Sequence, residues 1–98
     1  MIERIVLVKL SEAAVAESRA VADHSRGVLR SLPGVLAVDV GRPADEPTAA
    51  NWDLAMVLRF ETLDDVEAYR IHPDHRAYVD EFLAPRMKVI KAWNFEVA

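Results

Sequence analysis

The alternation of apolar and polar side chains predicts four β-strands. Residues 2–10 are rich in Val, Ile and Leu and too short for a helix, and residues 35–40 are short and β-branched. Residues 87–97 also alternate in polarity. Residues 52–60 give the clearest strand, because every second side chain is large and apolar: Trp52, Leu54, Met56, Leu58 and Phe60.

Two helical regions separate these strands. In residues 11–32, apolar side chains recur at spacings of three, four and seven, which predicts a helix. A serine caps its N-terminus, and a Pro-Gly pair ends it. The second region begins at Thr62, with an aspartate three residues later to complete a capping box. Residues 69–75 interrupt this region around a proline, so we expect a new helix over residues 73–84. Residues 42–51 lack periodicity and predict a surface loop.

The order of elements is β-α-β-β-α-β, which predicts an α+β, ferredoxin-like fold. In this fold the four strands form one antiparallel sheet, and both helices lie on the same face of it. The 98 residues match the size of one such domain, because a core-forming domain usually needs about 100 residues. We therefore expect a single domain over residues 1–98.

Apolar side chains also occupy the face of the sheet that no helix would cover. In the first strand, Ile5 and Leu7 point to the face opposite that of Val6 and Val8. In the third strand, Ala55 and Val57 point to the face opposite that of the large apolar side chains. Hydrophobic residues make up 52% of the chain, a high fraction for so small a domain. Since a large exposed apolar patch usually marks an interface, we expect the sheet to pack against a second copy as a homodimer. The alternative is a monomer whose open face is protected by three charged side chains: Lys9, Asp53 and Arg59.

Charge and composition narrow the possible partners. The chain has 12 Lys and Arg against 16 Asp and Glu, and this formal net charge of -4 is the wrong sign for binding nucleic acid or anionic lipid. The absence of cysteine excludes a disulfide, a thiolate zinc site and a thiol nucleophile. No apolar run is long enough to span a bilayer, and no signal-peptide pattern opens the chain. We expect a soluble, unexported protein of the cytoplasm.

Candidate chemistry lies in the break between the last two helical segments. His72 and His75 flank a proline but lack a third ligand, so we expect no metal and interpret His72 as a helix cap or a packed side chain. A helix N-terminus disfavours the imidazolium, which would keep His75 neutral and able to accept a proton. Tyr69 could approach it and donate a hydrogen bond to a carbonyl. The pair suits proton abstraction next to a carbonyl; the alternative is a packed tyrosine and a surface histidine.

Arg4 is the third candidate. It shares the parity of Val6 and Val8, so its cation lies on the helix-covered face and must reach solvent, a carboxylate or an anionic ligand. The alternative is a side chain that extends from the strand end into water. His24 lies in a charged stretch of the first helical region, and we interpret it as a solvated side chain.

Four segments of the chain resemble one protein family. Residues 1–10, the turn at 32–35, the strand at 52–55 and above all the Tyr-x-x-His-Pro-x-His element at 69–75 are similar to the stress-responsive dimeric α/β-barrel (Dabb) family. The resemblance covers essentially the whole chain. It implies a ferredoxin-like monomer whose sheet pairs face to face with another to close a dimeric α/β barrel, in agreement with the homodimer expected from the apolar face.

The resemblance also implies a site between the sheet and the helices. A plant polyketide cyclase of the family closes a ring by intramolecular aldol condensation, and the roles of its Tyr and His would fall to Tyr69 and His75. The cyclase carries histidines where this chain has Arg4 and Leu54. The residues expected to bind a ligand in a small, mostly apolar pocket are Arg4, Val6, Val8, Leu54, Met56, His72 and Tyr78.

Two functions are compatible with these residues. The first is cofactor-free proton transfer on a ketone-bearing or aromatic substrate, related to polyketide cyclisation, with His75 as base and Tyr69 as hydrogen-bond donor. The alternative is a non-catalytic protein that binds a small ligand or acts in a stress response. In that case both side chains are polar fixtures of a binding cavity, because one fold can host unrelated functions.

Overall fold

Four strands form one antiparallel sheet in a computed structural model, which describes residues 1–98. The strands are β1 (Ile2–Leu10), β2 (Ala37–Gly41), β3 (Leu54–Phe60) and β4 (Met87–Glu96). Their order across the sheet is β2-β3-β1-β4, and every neighbouring pair is antiparallel. The predicted ferredoxin-like fold is confirmed, because β1 and β3 occupy the centre of the sheet and β2 and β4 its edges.

The first helical region is two helices, so the prediction of one helix over residues 11–32 is wrong. Ser11 caps α1 (Glu12–Val15), since its hydroxyl accepts a hydrogen bond of 3.3 Å from the N–H three residues later. After a turn the chain continues as α2 (Ser18–Leu29). Glu17 makes the break, because its backbone leaves the helical range with φ -103° and ψ 15°.

The segment predicted as a loop, residues 42–51, contains the short helix α3 (Glu46–Ala49). The carboxylate of Asp45 caps it by accepting a hydrogen bond of 3.0 Å from the N–H of Thr48. A helix of four residues is too short to show apolar periodicity, which explains the wrong prediction. In addition, β2 and β3 each begin two residues later than predicted.

Asp53 has a role inside the sheet. Its carboxylate is buried and accepts a hydrogen bond of 2.7 Å from the N–H of Leu10, while its own N–H donates to the carbonyl of Val8 at 2.9 Å. These bonds extend the pairing of β1 beyond the first residue of β3. The expectation that Asp53 could shield an open sheet face is therefore wrong.

The second helical region changes type along its length. It begins at Thr62, whose hydroxyl caps α4 (Leu63–Ile71). His72 ends this helix and begins α5 (Pro73–Ala77), which confirms the predicted break and restart. The chain then departs from the predicted α-helix as a π-helical turn and a 3-10 turn: Tyr78–Leu83 and Ala84–Arg86. None of the helices has both the length and the apolar character needed to cross a membrane.

The two faces of the sheet differ in what covers them. The helices cover the face that carries Val8, Leu58 and Phe60, which are completely buried. No element covers the other face, which we call the open face and define by Ile5, Leu7, Ala55, Val57, Val89, Trp93 and Phe95. Trp93 and Phe95 are 47% and 51% exposed there. An apolar surface of this kind is unusual on a protein that remains alone in water.

Candidate functional site

A cavity of about 170 Å³ lies between the helices and the half of the sheet formed by β1 and β4. Its sheet side includes Val6, Ile90 and Ala92. Ile90 is 38% exposed although its partner across the strands, Val8, is completely buried. The helices thus leave the β4 edge of this face uncovered. Four side chains from the second helical region complete much of the lining: Tyr69, His75, Tyr78 and Leu83.

Tyr69, near the end of α4, is a buried tyrosine with a free hydroxyl. Its ring packs edge-on against Phe60, and its ring centroid lies 4.2 Å from that of His75. The hydroxyl makes no hydrogen bond within the protein, and no fully buried side-chain polar atom lacks a partner, so this hydroxyl reaches the cavity. Burial raises the pKa of Tyr69 well above its ordinary value, an effect that the charge of Arg4 reduces. The side chain is a neutral phenol that can donate a hydrogen bond.

His75, in α5, is half-buried beside this tyrosine. Its Nδ1 lies 3.0 Å from the backbone oxygen of Arg70. A carbonyl oxygen can only accept, so we assign the proton to Nδ1, which leaves a free lone pair on Nε2. Burial lowers the pKa of His75 and the charges of Arg76, Arg4 and Arg70 lower it further, against the opposing effect of the backbone hydrogen bond. The imidazole is neutral near pH 7, mainly through burial rather than through the helix N-terminus that the sequence suggested.

Tyr78 lines the same cavity, but its hydroxyl is engaged. It donates a hydrogen bond of 2.6 Å to Oγ of Ser25, and Sδ of Met56 lies 4.0 Å away. Ser25 is completely buried on α2. Burial raises the pKa of Tyr78 to about 12, although the bond to Ser25 opposes this shift. Tyr78 therefore joins the π-helical turn to α2.

Arg4 reaches the cavity from β1 without a carboxylate partner. Its Nη1 donates a hydrogen bond of 3.0 Å to Oδ1 of Asn94, which lies directly opposite on β4. None of the salt bridges in the protein involves Arg4. Burial lowers the pKa of Arg4 and the charge of Arg70 adds to this, while Tyr69 and the carboxylate of Glu67 partly offset it. A guanidinium remains charged in spite of such a shift, so the cavity holds an unpaired cation.

The cavity lining includes six of the nine residues predicted for the site: Arg4, Val6, Met56, Tyr69, His75 and Tyr78. Val8 and Leu54 do not line it, because they pair with each other across β1 and β3 and are buried in the core. His72 also lies outside the lining. Its Nδ1 accepts a hydrogen bond of 3.1 Å from the N–H of Asp74 and so caps α5. No group of three or more His, Asp or Glu side chains is positioned to hold a metal ion.

The sequence did not predict the partners of Tyr78 and Arg4, nor seven further residues of the lining: Leu29, Arg70, Arg76, Val79, Leu83, Ile90 and Ala92. Ser25 lies four residues after Val21 on the buried face of α2, so its spacing was a readable signal. Asn94 is 90 positions away from Arg4. Only the register between β1 and β4 brings these two side chains together, and no local pattern encodes it.

Solved proteins share this structure over nearly the whole chain. A dimeric protein of unknown function from Bacteroides fragilis is 27% identical, with a TM-score of 0.79 over 98% of this chain and 95% of that one. A dimeric ferredoxin-like protein from Thermobifida fusca is 25% identical, with a TM-score of 0.80 over 98% and 90%. A Dabb family protein from Mesorhizobium loti is 18% identical, with a TM-score of 0.83 over 99% and 96%, and shares the fold. No curated protein matches the chain in sequence.

One family model matches the sequence itself. The model of the Stress responsive A/B Barrel Domain, Dabb, matches residues 2–97. This match confirms the resemblance noted for the opening strand and for the Tyr-x-x-His-Pro-x-His element at residues 69–75. The chain belongs to the stress responsive A/B barrel domain family.

Proposed function

We propose that the protein catalyses cofactor-free proton transfer next to the carbonyl group of a small ketone-bearing or aromatic compound. One observation carries the proposal: Tyr69, with an unpartnered hydroxyl, lies beside a neutral His75 with a free Nε2 in the same cavity. Enolate formation needs a hydrogen-bond donor for the carbonyl oxygen and a base for the adjacent C–H. These two side chains supply both groups.

The proposed reaction is a proton transfer followed by reaction of the enolate. The substrate carbonyl accepts a hydrogen bond from the hydroxyl of Tyr69, and Nε2 of His75 removes a proton from the neighbouring carbon. The electrons of the broken C–H bond form the enolate, whose oxygen the phenol stabilises. In a cyclase-like reaction the enolate carbon attacks a second carbonyl of the same molecule. The resulting alkoxide takes the proton back from the imidazolium, so no external reagent is consumed.

The size of the cavity supports a small substrate. A cavity of about 150 Å³ lined by apolar side chains is large enough to bind benzene, and this one measures about 170 Å³. It therefore suits a single ring with short substituents. The lining is mostly apolar, so an aromatic or alicyclic body is favoured over a sugar or a nucleotide.

A second candidate function is ligand binding without turnover. The observation that favours it is the lowered pKa of His75, because the same burial that keeps the imidazole neutral also makes it a weaker base. In that case the hydroxyl of Tyr69 and the imidazole would orient a bound ligand and no C–H bond would break. A direct assay of C–H exchange separates the two functions.

The experiment is deuterium exchange in D2O, followed by NMR on acetophenone and 1-phenylpropan-2-one. Wild-type protein should exchange the protons next to the carbonyl faster than buffer alone, and His75→Ala should lower that rate by about 100-fold or more. His24→Ala is the matched control, since His24 is an exposed histidine on α2 outside the cavity. Binding of these ketones without exchange would favour the second function, and equal exchange by wild type and His75→Ala would exclude the catalytic role of this histidine.

We also propose that the protein is a homodimer that pairs its open face with that of a second copy and so closes an α/β barrel. Support comes from the exposed Trp93 and Phe95 and from the Bacteroides fragilis and Thermobifida fusca relatives, which are described as dimeric. Sedimentation at micromolar concentration should give about 22 kDa, twice the chain mass of 11.0 kDa. A species of monomer mass would contradict the dimer.

A further inference from the structure

The charges around the cavity are unbalanced. Three arginines contribute to its lining and no acidic residue does. Arg70 is paired with Glu67 on α4, and Arg76 with Asp80 on the following turn, each at 2.9 Å. Only Arg4 lacks such a partner. The site thus holds one cationic side chain without a salt-bridge partner, since the carboxylate of Glu67, whose charge also acts on Arg4, is bonded to Arg70.

Arg4 also has unused hydrogen-bonding capacity. Its single side-chain bond is to the neutral amide of Asn94, although a guanidinium has five N–H donors. The side chain is half-buried, so part of its hydration is lost, and no carboxylate contacts the guanidinium to replace it. The nearby hydroxyl of Tyr69 is a second donor without an acceptor. Donors and positive charge without acceptors are the features of a site that receives an anionic oxygen ligand.

We propose that the ligand of this cavity carries a carboxylate, which Arg4 binds. The inference rests on the proposed function and deepens it: the substrate class is a keto acid about the size of one ring. Its carboxylate lies on the guanidinium, its apolar body lies against Val6, Ile90 and Ala92, and its carbonyl reaches Tyr69. A planar guanidinium fork matches a carboxylate in two parallel hydrogen bonds. A single unpaired cation suits one negative charge better than the two of a phosphate group.

The test compares an acid with its neutral amide of the same shape. Wild-type protein should bind 4-acetylbenzoate at least about tenfold more tightly than 4-acetylbenzamide, as expected for a charge-assisted bond. Arg4→Gln should remove this preference, and Arg4→Lys should retain part of it because the charge remains but the fork is lost. Arg19→Gln is the matched control: Arg19 is exposed on α2, forms no salt bridge, and its loss changes the net charge equally. That variant should keep the wild-type preference.

Several results would overturn the inference. Equal binding of acid and amide by wild-type protein would do so without any variant, and so would no measurable binding of the acid at millimolar concentration. A preference for the acid that survives in Arg4→Gln would assign the anion to another group. Deuterium exchange at the acetyl group is measured separately on the same complex. Tight binding of the acid through Arg4 without exchange would support the carboxylate site and reject the proton transfer. Exchange of neutral ketones, with no preference for the acid, would support the proton transfer and reject the carboxylate site.

Discussion

The second helical region contains two tyrosines and two histidines, and the two members of each pair differ in whether the protein itself occupies their polar atoms. Tyr69 and Tyr78 are 4% and 5% exposed and both line the cavity, yet only Tyr78 has a partner for its hydroxyl, Ser25. His72 uses Nδ1 to cap a helix, whereas His75 binds a backbone carbonyl with Nδ1 and keeps Nε2 free. Residue type and burial therefore do not identify a functional side chain in this region. The presence or absence of a protein partner distinguishes the members of each pair.

The largest expected effect is on catalysis, from loss of the hydroxyl of Tyr69. Tyr69→Phe removes the donor to the developing enolate oxygen, which should lower the deuterium exchange rate by about 100-fold or more. Stability to urea should change by less than about 0.5 kcal/mol, because this hydroxyl has no partner in the folded protein. A variant with the wild-type exchange rate would reject the proposed role, and a large loss of stability would mean that the hydroxyl is engaged after all.

Tyr78→Phe should show the converse pattern. It leaves the buried Oγ of Ser25 without its donor, so the free energy of unfolding should fall by about 1–3 kcal/mol, measured in urea. Ser25→Ala breaks the same bond from the other side. In the double variant the free energy of unfolding should fall by less than the sum of the decreases in the two single variants, because both partners of one hydrogen bond are then absent. Additive losses would show that this hydrogen bond is not the source of the stability.

His72→Ala should have a smaller effect, on stability alone. It removes the Nδ1 acceptor that caps α5, and loss of a helix cap costs about 1 kcal/mol. His72→Asn is the matched control, since an asparagine side chain can still accept from the N–H of Asp74. Equal losses in the two variants, measured by thermal or urea unfolding, would show that capping is not what His72 contributes.

Much of the fold could be predicted from local pattern. The alternation in β3 and the apolar spacing of α2 are strong signals, since each reflects burial of one face against the same core. The break at His72 was also predictable, because a following proline restricts the backbone before it. The helix α3 and the π-helical turn were not. Each is too short for periodicity, and Tyr78, the first residue of the turn, makes a hydrogen bond to Ser25 of α2 that no local pattern encodes.

The site was harder to predict than the fold. Strand parity assigns Val6, Val8 and Leu54 to the helix-covered face, but it does not tell how far along that face the helices reach. The helices leave a cavity beside Val6 but pack directly on Val8 and Leu54. Val6 therefore lines the cavity, whereas Val8 and Leu54 belong to the core. The pairing of Arg4 with Asn94 depends on strand register over 90 positions. Information of that kind is absent from any local segment of the sequence.

The smallest effect concerns pH, and it separates His75 from an ordinary surface histidine. The pKa of His75 in the folded protein lies below its usual value of 6.5, so the exchange rate should hold as pH falls through 6.5 and decline only near the lower pKa.

The free energy of unfolding should begin to fall at a higher pH than the exchange rate does. The unfolded chain protonates this residue first, so the stability that depends on its neutral form is present above pH 6.5 and is lost as pH falls toward the folded pKa. Urea unfolding from about pH 7.5 to about pH 5 should show this slope in wild type and in His24→Ala, and a weaker slope in His75→Ala. An exchange rate that already falls with a midpoint at or above 6.5 would mean that the base is more exposed, or less affected by its arginine neighbours, than its burial implies.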